Sequence, residues 1–430
     1  MRALLVDEAG TTRLETLETP GRQAVSLVDI APAGWDEREA FDLYGVTFSG
    51  HEPLRSLVDH EAGLPAWAVP VHGHDAYQVA VGPIHAGVIE SGHFRFHVVG
   101  DLMLQLDARL FYKHRGLERA AEGKTLDEGA AYVARACAAC AVANGVAYAH
   151  ACEEALGLAP TAELARSRTV LLELERTWNH LNDIAAVCAG TGLAAGNNYF
   201  AALTEQARRL NARMTGHRFL FGSVRIGGSD VVVDHDTVRA ARDALGTLRR
   251  GAELGWQSLL DNLSFQDRLP GVGVLTPEEA RRLGTVGPAL RAAGIRDDVR
   301  AHSPRLAYGG FEPALQEAPD GDVRARLEQR MVELRQSIAL LEKLLERELR
   351  PAGMIENEPE RAIGVGRVES ARGETSCIVE RNGDRIERVR LRTGSYANWP
   401  TVASVAAGNL LPDFPLINKS FELCYACVDR

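Results

Sequence analysis

Four of the seven cysteines fall in two pairs with metal-ligand spacing, Cys137-x-x-Cys140 in the first third of the chain and Cys424-x-x-Cys427 at its end. A thiolate is a soft, anionic ligand that selects zinc, nickel, copper or iron over magnesium or calcium, and two intervening residues let both sulfurs of a pair face one ion. Four such sulfurs can form a single site. Zinc pairs usually share one small module, whereas these stand at opposite ends of the sequence, so a common site would tie the fold together. On spacing alone, structural zinc and a redox metal both remain open. Cys152, Cys188 and Cys377 have no ligand spacing and read as buried free thiols.

The elements that must position these cysteines are mainly helical. Ala130 to Leu156 is alanine-rich and free of proline, which predicts helix and places the first pair at or near a helix start, where backbone dipoles favour thiolate. Further long helices are expected over Leu164–Val187, Tyr199–Leu220 and Val238–Leu263. Over Val323–Leu349, Leu327, Met331, Leu334, Ile338, Leu341 and Leu345 recur at three- and four-residue steps, with charges on the other face, and read as core packing. Pro351 stops that helix. Strands are expected at Gln78–Val81 and His93–Val99, and a hairpin at Thr375–Glu380 and Ile386–Leu391 about an Asn382-Gly383 turn. Glu90 lies between the first two strands, where a carboxylate ordinarily serves as a solvated turn residue. Trp35–Val46 reads as a surface helix and turn. Gly364-Val365-Gly366 lacks the full dinucleotide or phosphate-loop pattern.

The 430 residues suffice for two or three domains with a self-sufficient core, and 46% hydrophobic with 25% charged residues describe an ordinary folded chain. A net charge of −10 without a basic patch excludes a nucleic-acid surface. The acidic start, MRALLVDEAG, is unlike a signal peptide, so no export by that route is expected. The most apolar window, Ala136–Ala149, is mostly alanine and interrupted by Asn144, too short and weak for a membrane span.

Several ordered motifs carry a family resemblance from about Val79 to Arg430. Arg115-Gly116-Leu117-Glu118 followed by Arg135-Ala136-Cys137-Ala138-Ala139-Cys140 resembles the first signature of [NiFe]-hydrogenase large subunits, and Cys424-Tyr425-Ala426-Cys427-Val428-Asp429-Arg430 resembles the second. Gly82-Pro83-Ile84-His85 through Glu90 to Phe96, Tyr112-Lys113-His114, Asn179-His180-Leu181-Asn182-Asp183 and Ser370-Ala371-Arg372-Gly373-Glu374 match the membrane-bound, energy-converting, formate hydrogenlyase-type branch, homologous to the complex I 49-kDa subunit. Trp35–Arg55 resembles part of the complex I 30-kDa subunit, giving a leading unit over 1–70 and a large-subunit-like domain over 71–430.

The resemblance implies an α+β fold, mainly α with β-rich flanking segments around a helical bundle, and an enzyme interconverting hydrogen with protons and electrons. It further implies that Cys137 and Cys424 bind nickel terminally, while Cys140 and Cys427 bridge nickel to an iron carrying CO and CN ligands. Arg372 falls where the family holds a guanidinium over the open metal face, Glu90 and Glu118 are candidate proton carriers, and His85, His93, His114, His180 and Asp183 are candidate supporting groups. Implied partners are a small [4Fe-4S] subunit like the complex I 20-kDa subunit, a ferredoxin-like subunit and antiporter-like membrane subunits, with this chain peripheral on the cytoplasmic side of the inner or plasma membrane. The sequence ends at Arg430, where the family's maturation proteases cut. It departs from the family pattern at Ala138-Ala139 (Gly-Ile), Asn144 (His) and Glu422-Leu423 (Asp-Pro). Alternative expectations are a divergent complex-I-like coupling subunit acting on another substrate, and a zinc-stabilised scaffold.

Overall fold

Residues 2–6, 11–16, 20–61, 63, 67–85, 90–356 and 359–430 are described by the computed structural model. Ala86 to Ile89, part of one motif above, lie outside them. The leading segment pairs β1 (Arg2–Val6) with β2 (Thr12–Thr16) antiparallel, and β3 (Gln23–Val25) with β4 (Thr47–Ser49) in parallel on either side of α1 (Ala33–Tyr44). Helix α1 ends at Gly45, whose φ of 65° is left-handed. It is not the surface helix expected: Glu37 and Glu39 are 5% and 2% exposed, because both carboxylates face partners from other segments.

Strands β5 (Tyr77–Val81), β6 (His93–Val99) and β7 (Leu102–Arg109) form an antiparallel meander in which β6 buries Phe94, Phe96 and Val98, as its alternation predicts. After the short α2 (Leu117–Ala121), α3 (Leu126–Ala134) starts with a capping box between Thr125 and Glu128. The single helix expected from Ala130 is broken: α3 ends at Ala134, and α4 (Ala141–Ala155) leaves at 118° to it after a 3-10 turn, Ala138–Cys140.

Helix α5 (Ala162–Gly190), α6 (Ala194–Thr215), α7 (His235–Leu260) and α8 (Val323–Leu344) supply the bundle. Helix α6 begins and ends five residues before the expected span, stopping where Gly216 takes φ 81°. The apolar stripe of α8 is buried as expected, but Arg326, Arg330 and Glu333 on the same helix are buried too, so its charges are not simply a solvated face.

Strands β8 (Leu158–Pro160), β9 (Gly228–Ser229) and β10 (Ala352–Glu356) make a small sheet, and β11 (Ile363–Ser370), β12 (Gly373–Asn382) and β13 (Arg385–Arg392) make an antiparallel sheet whose last two strands are the predicted hairpin. Helices α9 (Gly394–Ala406), α10 (Phe414–Phe421) and α11 (Tyr425–Asp429) close the chain. Helices take 48% and strands 18%, so the fold is mainly α with β-rich flanks.

Strand β11, absent from the sequence reading, lies on α4. A Cβ at Gly366 would come within 1.9 Å of Ala147 O, and one at Gly364 within 2.0 Å of Ala151 O. The glycines of β11 and the alanines of α4 are thus two halves of one close contact. One apolar core fills the bundle; a second gathers Phe94, Trp399, Phe414 and Tyr425.

Candidate metal centre

The break between α3 and α4 frees backbone groups that distant side chains then satisfy. Arg115 donates to Arg135 O (3.2 Å) and Ala136 O (2.8 Å), and Asn179 Nδ2 donates to Ala139 O (2.8 Å). The Glu175 carboxylate accepts from Val142 N (2.6 Å) and Ala143 N (3.0 Å), capping α4, and Cys137 Sγ accepts from Ala139 N (3.3 Å). Alanine's helix propensity loses here to tertiary partners from α5. The result places Cys137 in extended backbone and Cys140 immediately before α4, so both sulfurs turn toward the end of the chain.

There they meet the second pair. The sulfurs of Cys137, Cys140, Cys424 and Cys427 all lie within 4.8 Å of one another, and only Cys424 is more than marginally accessible. Hydrogen bonding among the sulfurs, first with Cys137, holds the Cys424 thiol well below the ordinary thiol range; the same sharing pushes Cys140 and Cys427 well above it. Four cysteine sulfurs in one buried pocket are a donor set whose shared protons a soft metal displaces, so the residues fit a thiolate-bound centre. Glu90 Oε2 accepts from Ala426 N (2.7 Å), the amide between the last two cysteines, and burial raises its carboxyl above the usual range. It is a partly buried brace of the tail, not the solvated turn residue expected.

Arg372 sits in the turn from β11 to β12, 4% exposed. Burial works against its charge, but Asp183 and then the Cys424 thiolate more than offset this, holding it cationic. Asp183, on α5, also accepts from Arg330 Nε (3.1 Å). From Asp183 a buried polar network runs on: His180 Nε2 lies 3.2 Å from Glu333 Oε2, Arg291 Nε donates to Glu333 Oε1 (2.8 Å) and its Nη1 to Glu369 Oε1 (3.0 Å).

The structure therefore gathers the four cysteines and places Glu90 against their loop. Glu118 falls elsewhere: it accepts from Leu391 N (2.7 Å) and pairs with Arg390 (3.4 Å) and Arg430 (3.8 Å). His114 Nδ1 is 2.7 Å from Asp429 O, His93 Nδ1 is 3.0 Å from Gly82 O, and the His85 ring stacks on Phe94 at 5.8 Å. Of the family departures, Asn144 is fully buried one turn beyond Cys140, and among the described residues neither end of its amide meets a partner. Burial pushes Glu422 up to about 7. Glu175, Glu333, Glu369 and Arg291 were not singled out by the sequence; for Glu175 the signal was the charge crowded into Leu171–Asp183, which leaves α5 no solvent face, whereas Arg291, Glu333 and Glu369 lie on other elements and are joined to it only by the fold.

Residues 191–365 and 354–430 match the family described as the respiratory-chain NADH dehydrogenase 49-kDa subunit, and residues 4–68 match the one described as its 30-kDa subunit. The chain belongs to the 49-kDa subunit family. It is 30% identical over 433 residues to formate hydrogenlyase subunit 5 of Escherichia coli (strain K12), covering 93% of this chain and 76% of that one. Hydrogenase-4 component G of the same organism is 29% identical over 452 residues, 96% of this chain and 77% of that. Among solved structures, a chain of the membrane-bound sulfane sulfur reductase, an archaeal respiratory membrane complex, matches with TM-score 0.76 and 26% identity, over 83% of this chain and 99% of that. The family is one of oxidoreductase subunits that work within larger assemblies. Among the described residues no single helix is long and apolar enough to cross a membrane.

Proposed function

We propose that this chain is the catalytic large subunit of a membrane-associated, energy-converting complex of the [NiFe]-hydrogenase type, interconverting hydrogen with protons and electrons. The observation that carries this reading is the closure of Cys137, Cys140, Cys424 and Cys427 into one set within 4.8 Å, in a pocket where Arg372 is held cationic. Cys137, Cys140, Cys424 and Cys427 would together hold the nickel–iron pair. When bound, that pair with its CO and CN ligands supplies the site and electron sink for heterolytic cleavage of hydrogen.

The residues around it have separate tasks. Arg372, fixed by Asp183, presents a permanent positive charge in a buried site, where such a charge acts strongly because no solvent reorganisation is needed. Cys424 Sγ takes the released proton, and Glu90, braced on Ala426 N and raised by burial, passes it outward. Glu118 has less support as a second carrier, since its partners are Arg390, Leu391 and Arg430. With the four paired cysteines committed, electrons leave through a small [4Fe-4S] subunit, then a ferredoxin-like subunit, with antiporter-like subunits forming the membrane part and this chain peripheral on its cytoplasmic side.

A second reading, a divergent coupling subunit acting on another electron acceptor, is favoured by Asn144 and Glu422 in place of the family residues and by likeness to a sulfane sulfur reductase. Nickel, iron and zinc content per chain, with an infrared spectrum in the CO and CN stretching region, separates the readings in the native complex. Stoichiometric nickel and iron with those bands support the hydrogenase. Zinc alone, or no metal after anaerobic purification, overturns it.

A further inference from the structure

Helix α11 carries Cys427 and is capped by Arg430, which is 1% exposed and whose side chain has to find counter-charge inside the protein. Its Nη2 donates to Glu39 Oε1 (2.6 Å), its Nη1 donates to Leu391 O (2.6 Å), and its guanidinium lies 4.8 Å from the Tyr396 ring centroid. Glu39 comes from α1, at the far end of the sequence. The same carboxylate accepts from Arg390 Nη1 (2.5 Å) and Nη2 (2.9 Å), so one buried acid joins β13 to the last turn of the chain. Asp36, one turn earlier on α1, accepts from Arg390 Nη2 (2.8 Å), and Trp35 stacks edge-on against Tyr396 at 5.6 Å.

We propose that Glu39 is a positioning residue for the cysteine tetrad, through which the leading unit fixes the turn that carries Cys427. If Glu39 is neutralised, the nearest other carboxylate to Arg430 among the described residues is Glu118, 3.8 Å from its Nε and beyond hydrogen-bond reach. A buried guanidinium left without a close counter-charge is strongly disfavoured and moves toward solvent. Arg430 caps the short helix that carries Cys427, three residues before it, so its movement displaces the sulfur. Other ties of this segment, among them Asp429 to the amides of Phe111 (2.7 Å) and Lys113 (2.8 Å), Glu90 to that of Ala426, and the Arg115 amide to Arg430 O (2.9 Å), involve backbone or carboxylates and leave the Arg430 guanidinium without a second close acid. They keep the tail attached while its register loosens.

The consequence for metal retention rests on the tetrad being a metal centre; the consequence for tail mobility does not. Glu39→Gln and Glu39→Asp are compared with the parent chain in the native complex by hydrogen–deuterium exchange and by metal loss to a chelator. Glu39→Gln is expected to speed exchange over 424–430 by about tenfold while 162–190 is unchanged, with metal lost several-fold faster, and Glu39→Asp to fall between. Unchanged exchange over 424–430, or an equal rise over 162–190, overturns the proposal, as does faster tail exchange with unaltered metal retention. Absence of metal from the parent chain counts against the metal-centre reading while leaving the exchange result to decide whether Glu39 holds the tail.

Discussion

Arg372 and Asp183 meet side by side, through a hydrogen bond from Nη1 to Oδ2 and an ion-pair contact between Nη2 and Oδ1, each 2.9 Å, with both side chains buried. This fork geometry is available to arginine and not to lysine, whose ammonium is a point charge on a flexible stem. Arg372→Lys is therefore expected to retain metal while lowering hydrogen turnover by about 10²- to 10³-fold, the scale seen when one preorganised electrostatic group is lost. Turnover assayed beside metal content checks this, and parental turnover in the variant would remove Arg372 from the chemistry.

Glu369 gives a pH signature remote from the cysteines. Burial, then the neighbouring Asp298, pushes its carboxyl up to about 8, whereas Arg291 and its neighbours hold Glu333 well below the usual range despite burial. Between about pH 4.5 and 8 the folded chain keeps a proton on Glu369 that the unfolded chain has lost. This contribution is fully present below the unfolded value and is lost as pH rises through the folded one, at up to about 1.4 kcal/mol per pH unit. Glu369→Gln mimics the protonated form, so it should be tolerated at pH 6 and flatten the fall in stability toward pH 8. Glu333→Gln removes a charge that Arg291 needs and should destabilise by about 3 kcal/mol or more at both pH values. Denaturant unfolding at the two pH values reads both effects.

The contact between β11 and α4 sets a third expectation. A methyl at Gly366 would overlap the backbone of Ala147 at 1.9 Å, and backbone cannot swing aside as a flexible side chain can. Gly366→Ala should cost about 3 kcal/mol of stability and shift α4, whose first turn follows Cys140. Thermal unfolding measures the cost. A substitution tolerated within about 0.5 kcal/mol would show that helix and strand do not lie this close.

The cysteine site was legible because ligand spacing is local, and the bundle helices because burial imposes a period that survives in sequence. What escaped was set by residues far apart in the chain. The break at Arg135–Cys137 depends on Arg115, Glu175 and Asn179, none visible in an alanine-rich window that favours helix. Strand β11 was missed because Gly364 and Gly366 weaken the β signal, and they are glycines only because α4 lies against them. The burial of Glu39, Arg430, Arg291 and Glu333 runs against the expectation that charge marks a solvated face. Only pairing across the fold makes it affordable.

Asn144 allows two readings of the altered pocket to be told apart by sign. It is fully buried on α4, one turn after Cys140, and among the described residues its Nδ2 and Oδ1 meet no partner. A buried amide without hydrogen bonds is a net cost, so replacing it with an apolar side chain of similar size should leave the metal-free chain as stable as before or up to about 2 kcal/mol more stable. If the amide instead donates to a bound thiolate or metal ligand, the same change weakens the loaded state, since a donor to charged sulfur is lost. Asn144→Leu is thus expected to raise or preserve the unfolding temperature of metal-free protein and to speed metal loss to a chelator by about tenfold. A variant less stable without metal and unchanged in retention would mean that Asn144 serves packing alone.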